Sequence, residues 1–192
     1  MTGVHQAVAI ALTVVMTTAA PCAHAIAPQP IDHGQLPVPA APMPPGRTEQ
    51  SDRCSTAKPA IDRPAHQLDM LDLAAVWPLS RGSGQTVAVI DTGVGRHRLL
   101  PHLVAGGDYV SSGDGTQDCD GHGTAIAGLI GATAAGATPG AFRGVAPEAA
   151  ILAIRQSSNK FRLTDDHEMS GVGDVETLAR AVRSAADAGA TV

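Results

Sequence analysis

A chain of 192 residues that is 44% hydrophobic and only 16% charged carries enough apolar material to bury a core, which excludes a solvated disordered chain as the whole molecule. A net charge of −5, with no stripe of Lys and Arg, excludes a nucleic-acid surface. Aromatics are scarce at 2% while Gly (21) and Pro (14) are plentiful, so the core must be aliphatic, with small residues letting elements approach closely.

Residues 8–18 are an uncharged apolar run, shorter than the roughly 20 residues a membrane-spanning helix needs. Pro21 and then Ala23-His24-Ala25 follow, a small-x-small pattern that a signal peptidase cuts after Ala25. Residues 1–25 therefore read as a signal peptide and the protein as exported and extracytoplasmic. Ala-Ala-Pro before Cys22 is a poor lipoprotein signal. Cleavage removes Cys22 and leaves Cys54 and Cys119, and an even pair in an exported chain points to one disulfide, with two free thiols as the alternative. Residues 26–65 hold Pro28, Pro30, Pro37, Pro39, Pro42, Pro44 and Pro45 and no periodicity, which predicts an extended arm. A disulfide through Cys54 would pin that arm against a folded body.

Residues 66–192 alternate in type. A short helix is predicted over 69–77, with Met70, Leu73, Ala74 and Trp77 on one face. The apolar, β-branched run 85–91 reads as a strand buried on both faces. A short strand near 107–110 precedes Asp118-Cys-Asp-Gly-His-Gly-Thr124. Residues 125–135 are small and helix-compatible, and Gly128 and Gly131 suggest close packing on a sheet. Residues 149–154 form another buried strand, 159–173 an exposed loop, and Asp174 caps a helix running to 188 with Val175, Leu178, Ala179, Val182 and Ala186 on its stripe. Gly189 stops it and 190–192 begin a further strand. Strand, helix, strand, helix, strand is the pattern of a parallel α/β sheet, and the last strand breaks off at its start, as in a chain cut short.

Two residues carry the chemistry. Asp91 ends a predicted parallel strand, where α/β proteins place catalytic groups. His122 lies between glycines just before a helix, where its ring projects freely and backbone can approach a substrate. An Asp that orients an imidazole, and an imidazole that takes the proton of an attacking hydroxyl, are two members of an acid–His–nucleophile relay. Either residue alone would read as a cap or a loop His.

Their surroundings decide otherwise. Val87-Ala-Val-Ile-Asp-Thr-Gly-Val94 and Asp120-Gly-His-Gly-Thr-Ala-Ile-Ala-Gly128 resemble the Asp and His boxes of the subtilisin family, in that family's order, and Gly144-Val-Ala-Pro-Glu-Ala-Ala-Ile-Leu-Ala153 resembles its following turn and strand. Val76-Trp-Pro-Leu-Ser80, Gly106-Gly-Asp-Tyr-Val110, Asp118-Cys-Asp-Gly-His-Gly-Thr124 and Arg155-Gln-Ser-Ser-Asn-Lys-Phe161 further resemble the mycosins, the subtilisin-like proteases attached to type VII secretion systems. The resemblance implies the N-terminal part of a three-layer α/β subtilisin-like fold with a parallel sheet, and a serine endopeptidase with Asp91 and His122 as catalytic residues. It also implies a Pro-rich extension that wraps the domain and a full-length form anchored in the membrane by a C-terminal helix. The family's Gly-Thr-Ser box does not occur in these residues, so the chain by itself is expected to be inactive.

The implied partners are a protein or peptide substrate and a type VII secretion membrane complex, without nucleic acid, cofactor or metal. Asp118, Cys119, Asp120 and His122 match no zinc spacing. Cys119 as a thiol nucleophile would compete with the disulfide. The acidic run Asp165-Asp-His-Glu168 reads as a solvated loop. The alternative function is a non-catalytic structural component of a membrane secretion complex. N-terminal sequencing of the exported protein is expected to begin at Ile26, and a retained Met1 on the secreted form would refute the cleavage site.

Overall fold

The computed structural model describes residues 30–56, 68, 70–133, 142–166 and 171–192, so the predicted signal peptide and residues 57–65 of the arm lie outside the described residues. The chain divides into two compact units, Met1–Gln35 and Leu36–Val192. The described part of the first holds a 3-10 turn at His33–Gln35. All else below concerns the second.

Its elements in chain order are β1 (Thr48–Gln50), α1 (Leu73–Val76), β2 (Thr86–Asp91), β3 (Leu103–Asp108), α2 (His122–Gly131), β4 (Ala150–Arg155), β5 (Phe161–Leu163) and α3 (Val175–Asp187). β2, β4 and β3 form a parallel sheet in that order, with Asp91 and Asp108 both in register with Arg155. Successive residues of β4 face opposite ways, and each face has its own core. Ile151 and Ala153 pack with Val89, Val94, Leu100 and Ala127 on the α2 side, and Leu152 and Ile154 with Tyr109, Ala181 and Ala185 on the α3 side. Helix, sheet and helix make three layers, as the subtilisin-like reading requires.

Small residues set how closely the layers pack. A Cβ on Gly131 would come within 2.9 Å of Ile151 Cδ1, so α2 lies against β4 at a distance only glycine permits, whereas a Cβ on Gly128 would meet nothing within 4 Å. The same logic corrects the predicted stripe of α3. Thr177, Ala181 and Ala185 are its buried residues, and Val175, Leu178 and Val182 are exposed, because small side chains bring the helix onto the sheet. Asp174 caps α3 as predicted, accepting from Thr177 N–H while the Thr177 hydroxyl closes a reciprocal capping box. Gly189, at φ 79°, ends it, and Thr191 N–H and Ala88 N–H donate to Thr86 and Val192 carbonyls, so the last residues do run along the edge of β2.

Other expectations shift. α2 starts at His122, three residues before the predicted helix, with Gly121 at φ 83° as its N-cap. Along β2 only Val89 is fully buried. α1 is a single four-residue turn, and Met70 is 90% exposed instead of sharing its packed face. Trp77 is half-buried; its indole N–H donates to Val145 O at 3.0 Å, and the guanidinium groups of Arg81 and Arg143 lie 5.8 and 5.7 Å from its ring centre. The predicted loop 159–173 contains β5, which pairs antiparallel with β1 of the arm. Phe161, Arg162 and Leu163 do alternate, but three residues are too short a run to stand out from the polar residues around them.

Residues 36–56 of the arm are thus built into the unit. Pro42 fills the space above Gly107, the Thr48 hydroxyl donates to Val110 O at 2.6 Å, and Arg162 and Lys160 pair with Glu49 and Asp52. A disulfide joins Cys54 to Cys119, 65 residues away, and Ser55 N–H donates to Cys119 O. Arg155 is buried, with Nη1 3.5 Å from Asp108 Oδ2 and its guanidinium 4.4 Å from the Phe161 ring centre. Its Nε and Nη2 have no hydrogen-bond partner among the described residues. Replacing both Cys54 and Cys119 by Ala is expected to lower stability by about 4 kcal/mol, the chain-entropy value for a loop of this length, read from denaturant unfolding of oxidised wild type against the double variant.

Candidate active site

Asp91 is the last residue of β2 and His122 the first of α2, so one sheet end and one helix start bring the two sequence-predicted residues together. His122 Nδ1 lies 2.8 Å from Asp91 Oδ1 and 2.9 Å from Oδ2. Asp91 Oδ1 also accepts from Thr92 N–H at 2.7 Å, which fixes the carboxylate from its own backbone. The Asp91 side chain is 20% exposed and the imidazole 66%. A carboxylate on Nδ1 selects the tautomer that carries its proton there and leaves Nε2 as the ring's free base.

Gly123 makes this approach feasible. A Cβ at that position would collide with Gly93 O and come within 3.1 Å of Asp91 Oδ1. Both glycines flanking His122 therefore have backbone reasons: Gly121 for its positive φ and Gly123 for contact with the end of β2.

The residues ahead of His122 are fully engaged. Asp118 accepts from Thr92 Oγ1, Gly121 N, Thr124 N and Thr124 Oγ1. Asp120 accepts from Ser158 Oγ at 2.5 Å and Asn159 N at 2.9 Å. With Cys119 in the disulfide, neither a metal cluster nor a thiol nucleophile is assembled from this segment, and among the described residues no group of His, Cys, Asp and Glu could hold a metal ion. In the Asp165 run, Asp165 accepts from the Thr164 hydroxyl, and His167 and Glu168 lie outside the described residues. Sequence reading missed Thr92, Thr124 and Lys160. The signal for the first two was the Asp-x-x-x-His-Gly-Thr spacing together with Asp-Thr-Gly. Lys160 gave none.

An open cleft of about 520 Å³ lies beside the pair, lined by Asp91, Thr92, Asp120, His122, Ser157, Asn159 and Lys160. All seven lining side chains are polar.

The sequence profile of Peptidase S8, the subtilase family, matches residues 82–190, which include the whole Asp91–His122 arrangement. The chain belongs to the subtilase family. Mycosin-4 of Mycobacterium tuberculosis is 54% identical over 176 residues, which cover 90% of this subtilase chain and 38% of that relative. The structure described as the MycP3 protease from the type VII (ESX-3) secretion system superposes with a TM-score of 0.73 at 42% identity, covering 86% of this chain and 46% of that one. A chain in the periplasmic assembly from the ESX-5 inner membrane complex gives a TM-score of 0.72 at 39% identity, with 86% and 46% covered. This subtilase chain thus spans less than half the length of these relatives, 38–46%.

Hydrogen bonding to Asp91 and attraction to its charge raise the His122 pKa above 6.5, aided by the charges of Asp118 and Asp120. Because the folded value exceeds the unfolded one, the stability this group contributes is fully present below about pH 6.5 and is lost as pH rises through the raised folded value. NMR titration of the imidazole is expected to give a midpoint above 6.5 in the wild type and a lower one in Asp91→Asn. An unchanged midpoint in the variant would separate Asp91 from the control of His122.

Proposed function

We propose that this chain is the Asp- and His-bearing part of a mycosin-like serine endopeptidase that works outside the cytoplasm with a type VII secretion membrane complex. The observation that carries the reading is the double contact of His122 Nδ1 with the Asp91 carboxylate at a sheet end beside an open cleft. In the proposed mechanism His122 Nε2 takes the proton of a serine hydroxyl as the oxygen attacks a peptide carbonyl, and later gives it to the leaving amine. Asp91 holds the tautomer and stabilises the imidazolium that forms between these steps. The raised pKa suits this role, since it makes the ring a better proton acceptor.

No Gly-Thr-Ser sequence occurs among the 192 residues, so the reading assigns the nucleophile to sequence of the kind the longer relatives possess. The substrate is a polypeptide, and the domain reading is a signal peptide over 1–25, a Pro-rich extension over 26–65 and a partial peptidase domain over 66–192. Similarity to a chain described within the periplasmic assembly of the ESX-5 inner membrane complex supports the association with a secretion complex. It also supports a second reading, that the protein stabilises such a complex whether or not it cuts. Among the described residues no helix is long and apolar enough to cross a membrane, and the proposed anchor is a C-terminal helix of the full-length form.

Hydrolysis of a peptide library separates the readings. A form extended through a Ser box is expected to cleave, His122→Ala to lose about 10⁶-fold in kcat, and Asp91→Asn about 10⁴-fold. The 192-residue chain is expected not to turn over substrate. Cleavage by the chain alone, or wild-type activity in His122→Ala, would overturn the triad assignment, and an inert extended form would favour the structural role.

A further inference from the structure

Asp91 and His122 belong to different elements, and the hydrogen bonds that join those elements converge on Asp118, whose own bonds go to Thr92, Gly121 and Thr124 and not to either side chain of the pair. Asp118 Oδ1 accepts from the Thr92 hydroxyl at 2.9 Å and from Gly121 N–H at 2.7 Å, and its Oδ2 from Thr124 N–H at 2.8 Å and the Thr124 hydroxyl at 2.6 Å. Each carboxylate oxygen has two donors, which uses its acceptor capacity. Thr92 directly follows Asp91, while Gly121 and Thr124 bracket His122. The two hydroxyls carry the connection further. Thr92 Oγ1 accepts from Gly123 N–H at 3.0 Å, and Thr124 Oγ1 from Gly95 N–H at 2.8 Å. The end of β2 and the start of α2 are therefore cross-linked on both sides of the Asp91–His122 bond, through one carboxylate.

A plain helix cap would look different. The N-cap of α2 is Gly121, which has no side chain, and Asp118 caps the first turn through Thr124 N–H, but a cap has no need of a donor from a neighbouring strand. The Thr92 hydroxyl is that donor, and it is 8% exposed at the residue level, so its bond to Asp118 is shielded from competing water. We propose that Asp118 is a positioning residue for the Asp91–His122 pair, holding the end of β2 and the start of α2 in the register at which Nδ1 meets both carboxylate oxygens. Its catalytic meaning rests on the relay proposed above; its effect on the pair does not. The negative charge of Asp118 also favours the protonated imidazole, so a test must separate charge from geometry.

Thr92→Val does so, since it removes the shared hydroxyl and leaves every charge in place. The 192-residue chain suffices, with the wild type, Thr92→Val and Asp118→Ala followed by NMR for the His122 titration and the slowly exchanging Nδ1–H signal, and by thermal unfolding for folding itself. Both folded variants are expected to lose the Nδ1–H signal to solvent exchange and to titrate at lower pH than the wild type. If both keep the signal and the midpoint, Asp118 is only a cap and the proposal fails. If Asp118→Ala shifts the midpoint while Thr92→Val matches the wild type, Asp118 acts through charge alone and the proposal also fails. Should Asp118→Ala not fold, Thr92→Val decides by the same two signals. In a form carrying the nucleophile, Thr92→Val is expected to lower kcat on the order of 10²-fold, the cost of a misplaced reacting group. An inactive extended wild type would count against the protease reading and leave the NMR result standing.

Discussion

A carboxylate on a strand and an imidazole on a helix meet at 2.8 Å only if two separately formed elements are held to within a few tenths of an ångström. That constraint explains most of what surrounds it. Gly123 is side-chain-free because the helix start presses against Gly93 O and the Asp91 carboxylate, and Gly121 turns the chain at a positive φ so that the helix can begin at His122. Gly131, one helix length away, brings the other end of α2 down onto Ile151. The helix is seated at both ends by glycines, and its first residue has little freedom left.

The segment 118–120 restrains His122 in three directions. Asp118 ties it to the end of β2, Cys119 to the arm, and Asp120 to Ser158 and Asn159. The last two ties meet, because Lys160 N–H donates to Ser158 Oγ and Lys160 Nζ pairs with Asp52, two residues before Cys54. Residues 36–56 of the arm, the wall of the cleft and the approach to the imidazole are connected through these ties, so the extension that the sequence expects to be pinned by Cys54 is part of what shapes the site.

The parts legible in the sequence were those whose cause is local. Asp91 ends an apolar strand and His122 sits in a contiguous glycine-flanked box, and each could be placed from its neighbours. The cap at Asp174 and the stop at Gly189 are equally local. What escaped depends on partners distant in sequence. β5 exists because β1 lies opposite it, more than a hundred residues earlier, and the three-residue alternation Phe161-Arg-Leu163 is too short to announce a strand by itself. The stripe of α3 was misplaced because hydrophobicity ranks Val182 above Ala181, whereas the close approach to Leu152 and Ile154 selects size. Asp118 has no role legible in the sequence beyond its place in the His box, and its part appears only when the donors at 92, 121 and 124 are seen together.

Trp77 is the chain's single tryptophan. Two guanidinium groups lie 5.8 and 5.7 Å from its ring centre and its indole N–H donates to Val145 O, so it clasps α1 to the turn that leads into β4. Light absorbed selectively by indole is therefore re-emitted from this one clasp, which lies in different segments from the cleft-lining residues. Emission from the chain reports the docking of α1, with the adjacent cations tuning the colour. It works as an optical gauge of that joint and carries no direct signature of the imidazole.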